Sequence, residues 1–180
     1  MRPDIKVWNP ENPAQWNKTL AWTTVWLSTL SLTLGFCAWF LVPSLAPRLN
    51  EIGFSLTHSQ LYWLVAMVGL SAGTLRILWT FLPPILGTRI LVTLSTGLLL
   101  IPLFCWVYAA QHPDTPYWML ICFALLSGIG GGTFSGLMAS TNYFFPKHER
   151  GLALGIQGGL SDFGTGLVQF VTPLVIGFSA

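Results

Sequence analysis

Arg76 is the residue in this sequence best equipped to do chemistry. It sits in Gly69-Leu70-Ser71-Ala72-Gly73-Thr74-Leu75-Arg76-Ile77-Leu78-Trp79, thirteen residues before Arg89. That separation is ~20 Å along a helix, which puts the guanidinium well inside an apolar stretch. An arginine at the centre of a bilayer costs ~2.5–3.5 kcal/mol on insertion scales, so it normally faces a cavity and marks a substrate or ion path. Its forked donors suit a planar oxyanion. The competing reading is an arginine that snorkels to the inner interface or pairs structurally with a carboxylate.

Asp162 is the only acid inside an apolar span, eleven residues or ~16 Å beyond Gly151. It fits a proton carrier, a partner for Arg76, a neutral buried acid, or a structural hydrogen-bonding group. Gln157 lies about one helical turn before it, so the two polar groups could share a face.

Two glycine ladders accompany these residues. Gly128, Gly132, Gly136 and Ser140 recur at every fourth position, as do Gly151, Gly155 and Gly159, with Gly158, Gly164 and Gly166 nearby. Small residues at that spacing form a groove that admits another helix backbone. They also let an ion lie against peptide N–H groups, or let helices slide. Gly128-Ile129-Gly130-Gly131-Gly132 follows an apolar run and lacks a strand–helix setting, so a nucleotide loop is not indicated. Phe36 and Phe134 read on composition as packing or lipid-facing residues.

His58, His112 and His148 fall in predicted loops or at span ends, which argues against a histidine-based active site or metal centre. Asp162 has no second acid or histidine at its depth, so no enzymatic reaction and no cofactor are expected. Cys37, Cys105 and Cys122 lie in apolar runs without ligand spacing and read as small core residues.

The elements that must position these groups follow from composition. Of 180 residues, 53% are apolar and 8% charged, against about 25% charged in a soluble domain, so the bilayer is the better solvent. A net charge of +2, dispersed along the chain, excludes a nucleic-acid partner. Apolar runs long enough to cross ~30 Å of hydrocarbon occupy roughly 20–41, 60–82, 90–110, 117–145 and 152–177. Lacking the alternation of a barrel, they predict five transmembrane helices and an all-α membrane protein of one domain, residues 20–180, behind a tail of residues 1–19. Pro43 and Pro47, Pro83-Pro84, the stretch from Gln111 to Pro116, and Pro146-Lys147-His148-Glu149-Arg150 mark the breaks. The first run exceeds a signal-peptide core of roughly 7–15 residues and is expected to stay in the mature chain, although Ser44-Leu45-Ala46 imitates a cleavage site.

A cytoplasmic N-terminus leaves Arg2, Lys6, Lys18, Arg89, Lys147 and Arg150 inside and only Arg48 outside. The tail from Trp8 to Trp16 then lies at the inner surface, where its indoles can anchor. An odd number of spans puts Ala180 outside, just after the fifth, and the sequence reads as interrupted. A transporter repeat short of one span cannot form two gates, so transport is expected to need a further part.

The chain resembles the nitrate/nitrite porters of the major facilitator superfamily over nearly its whole length. The resemblance rests on Trp8-Asn9-Pro10-Glu11-Asn12-Pro13-Ala14-Gln15-Trp16, on Phe36-Cys37-Ala38-Trp39, and on Leu75-Arg76 with Pro84-Ile85-Leu86-Gly87-Thr88-Arg89. It also rests on Phe144-Phe145-Pro146-Lys147 before the glycine-rich Gly151-Leu152-Ala153-Leu154-Gly155-Ile156-Gln157-Gly158-Gly159. It implies the N-terminal part of a porter that moves nitrate or nitrite across the inner membrane by alternating access, completed by a C-terminal half. A separately encoded half, or a fragment that does not transport, is the other possibility. Arg76 would be one of two substrate-binding arginines, Phe36 and Phe134 would flank the planar anion, and Gly151, Gly155, Gly158 and Gly159 would be the signature ladder near it. Two positions depart from the pattern: Ser161-Asp162 stands where the family commonly has Gly-Asn, and Ser140 where it has Asn. A carboxylate repels an anion that an amide would bind, so Asp162 is expected to protonate during transport or to ion-pair with Arg76 in the empty site.

Overall fold

The computed structural model describes residues 8–179, with side chains to residue 175, and all regular elements among them are helical. Arg2, Lys6 and Ala180 lie outside the described residues. Helix α1 (Lys18–Leu45) starts where the Asn17 side chain accepts a hydrogen bond from the Leu20 amide at 3.0 Å. A 3-10 turn (Ala46–Arg48) and the short α2 (Leu49–Ile52) follow, ended by Gly53 at φ 117°, a left-handed conformation that favours glycine. Helix α3 (His58–Phe81) opens on a reciprocal capping box between Thr57 and Gln60. Helix α4 (Pro83–Leu98) begins at the proline pair, where a missing N–H leaves no bond unmade, and is kinked at Gly87, whose φ of 71° and ψ of 156° are not helical. Helices α5 (Leu100–Gln111), α6 (Tyr117–Phe144) and α7 (Lys147–Ser179) complete the chain.

Several boundaries differ from the sequence expectation: Pro43 does not end α1, which runs on to Leu45, and the third run's helix begins at Pro83 rather than near residue 90. The third apolar run is not one helix but α4 and α5, broken at Leu99. Pro102 lacks the N–H that would bond the Leu98 carbonyl, and its ring crowds that carbonyl. The charged stretch after Pro146 is not loop either. Lys147–Arg150 form the first turn of α7, with the Pro146 carbonyl accepting from the Glu149 and Arg150 amides at 3.1 and 3.0 Å.

Pairings along the interfaces give the helix directions. Gly128, Gly132 and Gly136 of α6 lie beside Ser71, Leu75 and Trp79 of α3, so these two helices run parallel. Lys18 meets Glu149, Ser28 meets Gln157, and Cys37 meets Gly164, so α1 and α7 are parallel too. Trp16 reaches Phe144 while Gly35 abuts Gly130, which makes α1 and α6 antiparallel. Thr88 contacts Ser140 and Trp106 contacts Ser127, so the α4–α5 pair also opposes α6. Direction therefore reverses at each of the four connections, as consecutive crossings of a bilayer require.

Four segments, Lys18–Ile52, His58–Phe81, Pro83–Gln111 and Tyr117–Phe144, are long and apolar enough to cross a membrane. Helix α7, with 33 residues, is long enough, but its glycines and Gln157, Asp162 and Gln169 dilute its apolar character. Tyr62, Trp63, Leu70, Ile77, Leu78 and Phe81 stand exposed along α3, a face suited to hydrocarbon. The N-terminal segment before α1 folds as a strap over the α6–α7 junction. Trp16 Nε1 donates to the Phe144 carbonyl at 2.9 Å, and Glu11 Oε1 accepts from the Lys147 amide at 3.0 Å. Trp8 packs edge-on to Phe144, and Trp16 and Trp22 pack edge-on to Phe145.

Candidate functional site

Helices α1, α3, α6 and α7 border an open cavity of about 440 Å³, lined by Phe36, Trp39, Phe40, Arg76, Phe134, Gly158, Asp162, Thr165 and Gly166. Helix α1 gives Phe36, Trp39 and Phe40, spaced i, i+3, i+4 and so presented on one face. Helix α7 gives Gly158, Asp162, Thr165 and Gly166, spaced i, i+4, i+7, i+8. Helices α3 and α6 supply Arg76 and Phe134.

Arg76 reaches the cavity from a closely packed seam. Ser71 Oγ donates to the Leu125 carbonyl at 2.5 Å, and Ser135 Oγ donates to the Arg76 carbonyl at 2.8 Å. The Arg76 Nε–H donates to the Gly131 carbonyl at 3.2 Å, and the guanidinium carbon lies 5.6 Å from the Trp39 ring centre and 5.3 Å from that of Phe134. Two cation–π contacts at about 0.5–1 kcal/mol each, with one hydrogen bond to a charged group at about 1.5–3, roughly offset the ~2.5–3.5 kcal/mol of a central arginine. No carboxylate is needed for this. Among the described residues the ion pairs are Lys18 with Glu149, Arg48 with Glu51, and His148 with Glu149, all away from the cavity. Nη1 and Nη2 of Arg76 make no hydrogen bond to the described residues and remain available to a ligand.

Phe36 is buried and stacks on Phe134 with ring centres 5.7 Å apart and planes 22° from parallel. Asp162, exposed on α7, also lines the cavity. Its helix is held to α1 by polar contacts: buried Gln157 donates from Nε2 to Ser28 Oγ at 2.9 Å, and Cys37 Sγ donates to the Gly164 carbonyl at 3.4 Å. A Cβ on Gly164 would collide with the Thr33 carbonyl, so the bare backbone sets how close α7 stands.

Of the residues expected from the sequence, Arg76, Phe36, Phe134, Gly158 and Asp162 come together at this cavity. Gly151, Gly155 and Gly159 do not line it. A Cβ on any of them would meet nothing within 4 Å. Ser140 is also remote, in contact with the Thr88 hydroxyl. Sequence reading missed Trp39, Phe40, Thr165 and Gly166, although their one-face spacing with Phe36 and with Gly158 and Asp162 was a signal that could have found them.

The family model described as Major Facilitator Superfamily matches residues 17–180. A Thermus thermophilus protein named probable nitrate/nitrite antiporter NarK2 is 59% identical over 175 residues, covering 97% of this chain and 40% of its own length. Nitrate/nitrite transporter NarU of Escherichia coli (strain K12) is 41% identical over 175 residues, 96% of this chain and 38% of its own length. Probable nitrate transporter NarT of Staphylococcus aureus (strain Newman) is 32% identical over 151 residues, 84% and 37%. The chain thus spans about two fifths of the length of these relatives.

Proposed function

From the premise that this chain belongs to the major facilitator superfamily, and so is a multi-pass membrane protein, we propose that it forms the N-terminal part of a nitrate/nitrite porter. In this reading the cavity beside Arg76 is half of the anion site. The observation that carries it is Arg76 itself: the one cation among the described residues that line the cavity, with Nε committed to Gly131 and its terminal nitrogens bonded to none of them. Two parallel N–H donors match two oxygens of a planar trigonal anion. The relatives' names supply the substrate class.

The five runs of alternating direction are five crossings, with α7 as the fifth. Lys18, Lys147 and Arg150 gather at the end where the strap meets the α6–α7 junction. Arg89, next to Thr88 and its contact with Ser140, lies toward the same end. Arg48 sits beyond the other end of α1. This segregation supports a cytoplasmic N-terminus in the inner membrane. The second gate and a second positive group belong to the C-terminal half, on the same or a separate chain.

Nitrate uptake into liposomes, with this chain alone and with a relative's C-terminal half supplied in trans, tests the reading. Uptake is expected with both halves and is expected to vanish with Arg76→Ala. Equal uptake by wild type and Arg76→Ala would sink it. Asp162, lining the same cavity, favours a second element: protonation of this carboxylate accompanies anion entry, so that the cavity does not hold a carboxylate and a nitrate together. An Asp162→Asn protein whose uptake kept the wild-type pH profile would remove the proton role while leaving the anion site standing.

A further inference from the structure

We propose that Trp39 and Gly131 are positioning residues for Arg76, forming a cradle that aims its two-nitrogen edge at the ligand and sets the preference for oxyanions over spherical anions. The inference rests on the anion-site reading above. Gly131 carries no side chain, and the space a Cβ would need is taken by the Trp39 indole and by Ala72 Cβ, 2.9 Å away. A Cβ there would stand 2.6 Å from Cδ2 and 2.7 Å from Cε2 of Trp39, so the indole lies directly against the α6 backbone. The carbonyl of the same residue takes the Arg76 Nε–H.

The indole reaches this position because α1 and α6 touch through glycine. A Cβ on Gly130 would collide with the Gly35 carbonyl, and a Cβ on Gly35 would lie 3.1 Å from the Gly130 carbonyl. Trp39 is held in turn by Phe36 and Phe40, with ring centres 5.6 and 4.8 Å away. The guanidinium is therefore fixed by one hydrogen bond at Nε and by the aromatic faces of Trp39 and Phe134. The guanidinium is planar by resonance, and rotation about Cδ–Nε would break that bond and those contacts, which leaves Nη1 and Nη2 in one orientation.

Such fixing has a chemical consequence. A fork held in one plane serves a ligand with two oxygens, whereas a halide takes one donor direction as well as another. The cradle should therefore govern the ratio of nitrate to bromide affinity more than affinity for anions in general.

Calorimetric titration of nitrate and of bromide into the protein, assembled with its C-terminal half, tests this. Trp39→Leu is expected to weaken nitrate about tenfold, the scale of one charge-assisted hydrogen bond, and bromide less than about twofold. Trp39→Phe, which keeps a ring face, should recover most of the difference. In an Arg76→Lys background, which has no Nε donor or fork, Trp39→Leu should leave the nitrate/bromide ratio unchanged.

A second readout is independent of binding. In protein labelled with nitrogen-15 at arginine, the Arg76 Nε–H should exchange with solvent slowly in the wild type and quickly in Trp39→Leu or Gly131→Ala. Equal losses of nitrate and bromide affinity, or an Arg76 Nε–H that exchanges as fast as that of Arg48, would overturn the cradle while sparing the anion site. Nitrate binding indifferent to Arg76→Ala would instead overturn the site, and the cradle with it.

Discussion

Helices α6 and α7 carry glycine at the same four-residue interval, yet the two ladders meet different surroundings. On α6, a Cβ at Gly128, Gly132 or Gly136 would come within 2.5, 2.7 and 2.8 Å of Ser71, Leu75 and Trp79 on α3. On α7, a Cβ at Gly151, Gly155 or Gly159 would meet nothing within 4 Å. The first ladder is filled by a neighbouring helix and fixes the seam from which Arg76 emerges. The second is a bare strip of backbone, turned away from both the cavity and the described helices. Glycine spacing alone does not distinguish a finished interface from a surface left open; the helix opposite does.

Substitutions separate the two. The largest effect is expected at α6, where Gly128→Ala or Gly130→Ala places a methyl against backbone that cannot step aside, costing about 2–3 kcal/mol. The loss would appear as a reduced folded fraction in detergent denaturation, and unchanged stability would break the contrast. Gly164→Ala comes next, at about 1–2 kcal/mol, because this glycine of α7 does abut the Thr33 carbonyl and so behaves like an α6 position. Gly158→Ala should leave stability nearly unchanged, its Cβ in ordinary contact with Met138 Cε at 3.7 Å, while nitrate affinity falls severalfold at the cavity wall. Gly155→Ala and Gly159→Ala, whose Cβ would meet nothing, should instead gain about 0.5–1 kcal/mol from helix propensity. If the bare strip serves a moving neighbour, the same variants lose uptake despite that gain, and full uptake would mark the strip as idle.

What the sequence disclosed and what it withheld have physical reasons. Arg76 was legible because a charge in a long apolar run is costly, and its depth follows from helical rise alone. The helical class and the number of runs followed from the need to satisfy backbone groups in hydrocarbon. The break at Leu99 was harder to see, since Pro102 acts on a carbonyl four residues back and the apolar pattern continues across it. The partnership of Trp39 with Gly131 joins residues 92 apart in sequence, and only the approach of Gly35 to Gly130 brings them together. Phe36 and Phe134 stood out by resemblance rather than by pattern, because aromatic residues abound in every span. The separation of the two ladders was invisible for a similar reason: the sequence shows the gap in each helix, not what stands across it.

The strap also fixes an order of events in the making of the protein. Trp16 bonds to a carbonyl 128 residues downstream, and Glu11 to an amide 136 residues downstream. A ribosome adding ~5–20 residues per second makes those partners roughly 6 to 27 seconds after it makes the tail. Until then the indoles of Trp8 and Trp16 and the carboxylate of Glu11 have no docking place, and a chain halted before Phe144 never acquires one. Protection of the tail from a protease is thus a clock on synthesis, starting only when the α6–α7 junction has emerged and been laid against α1.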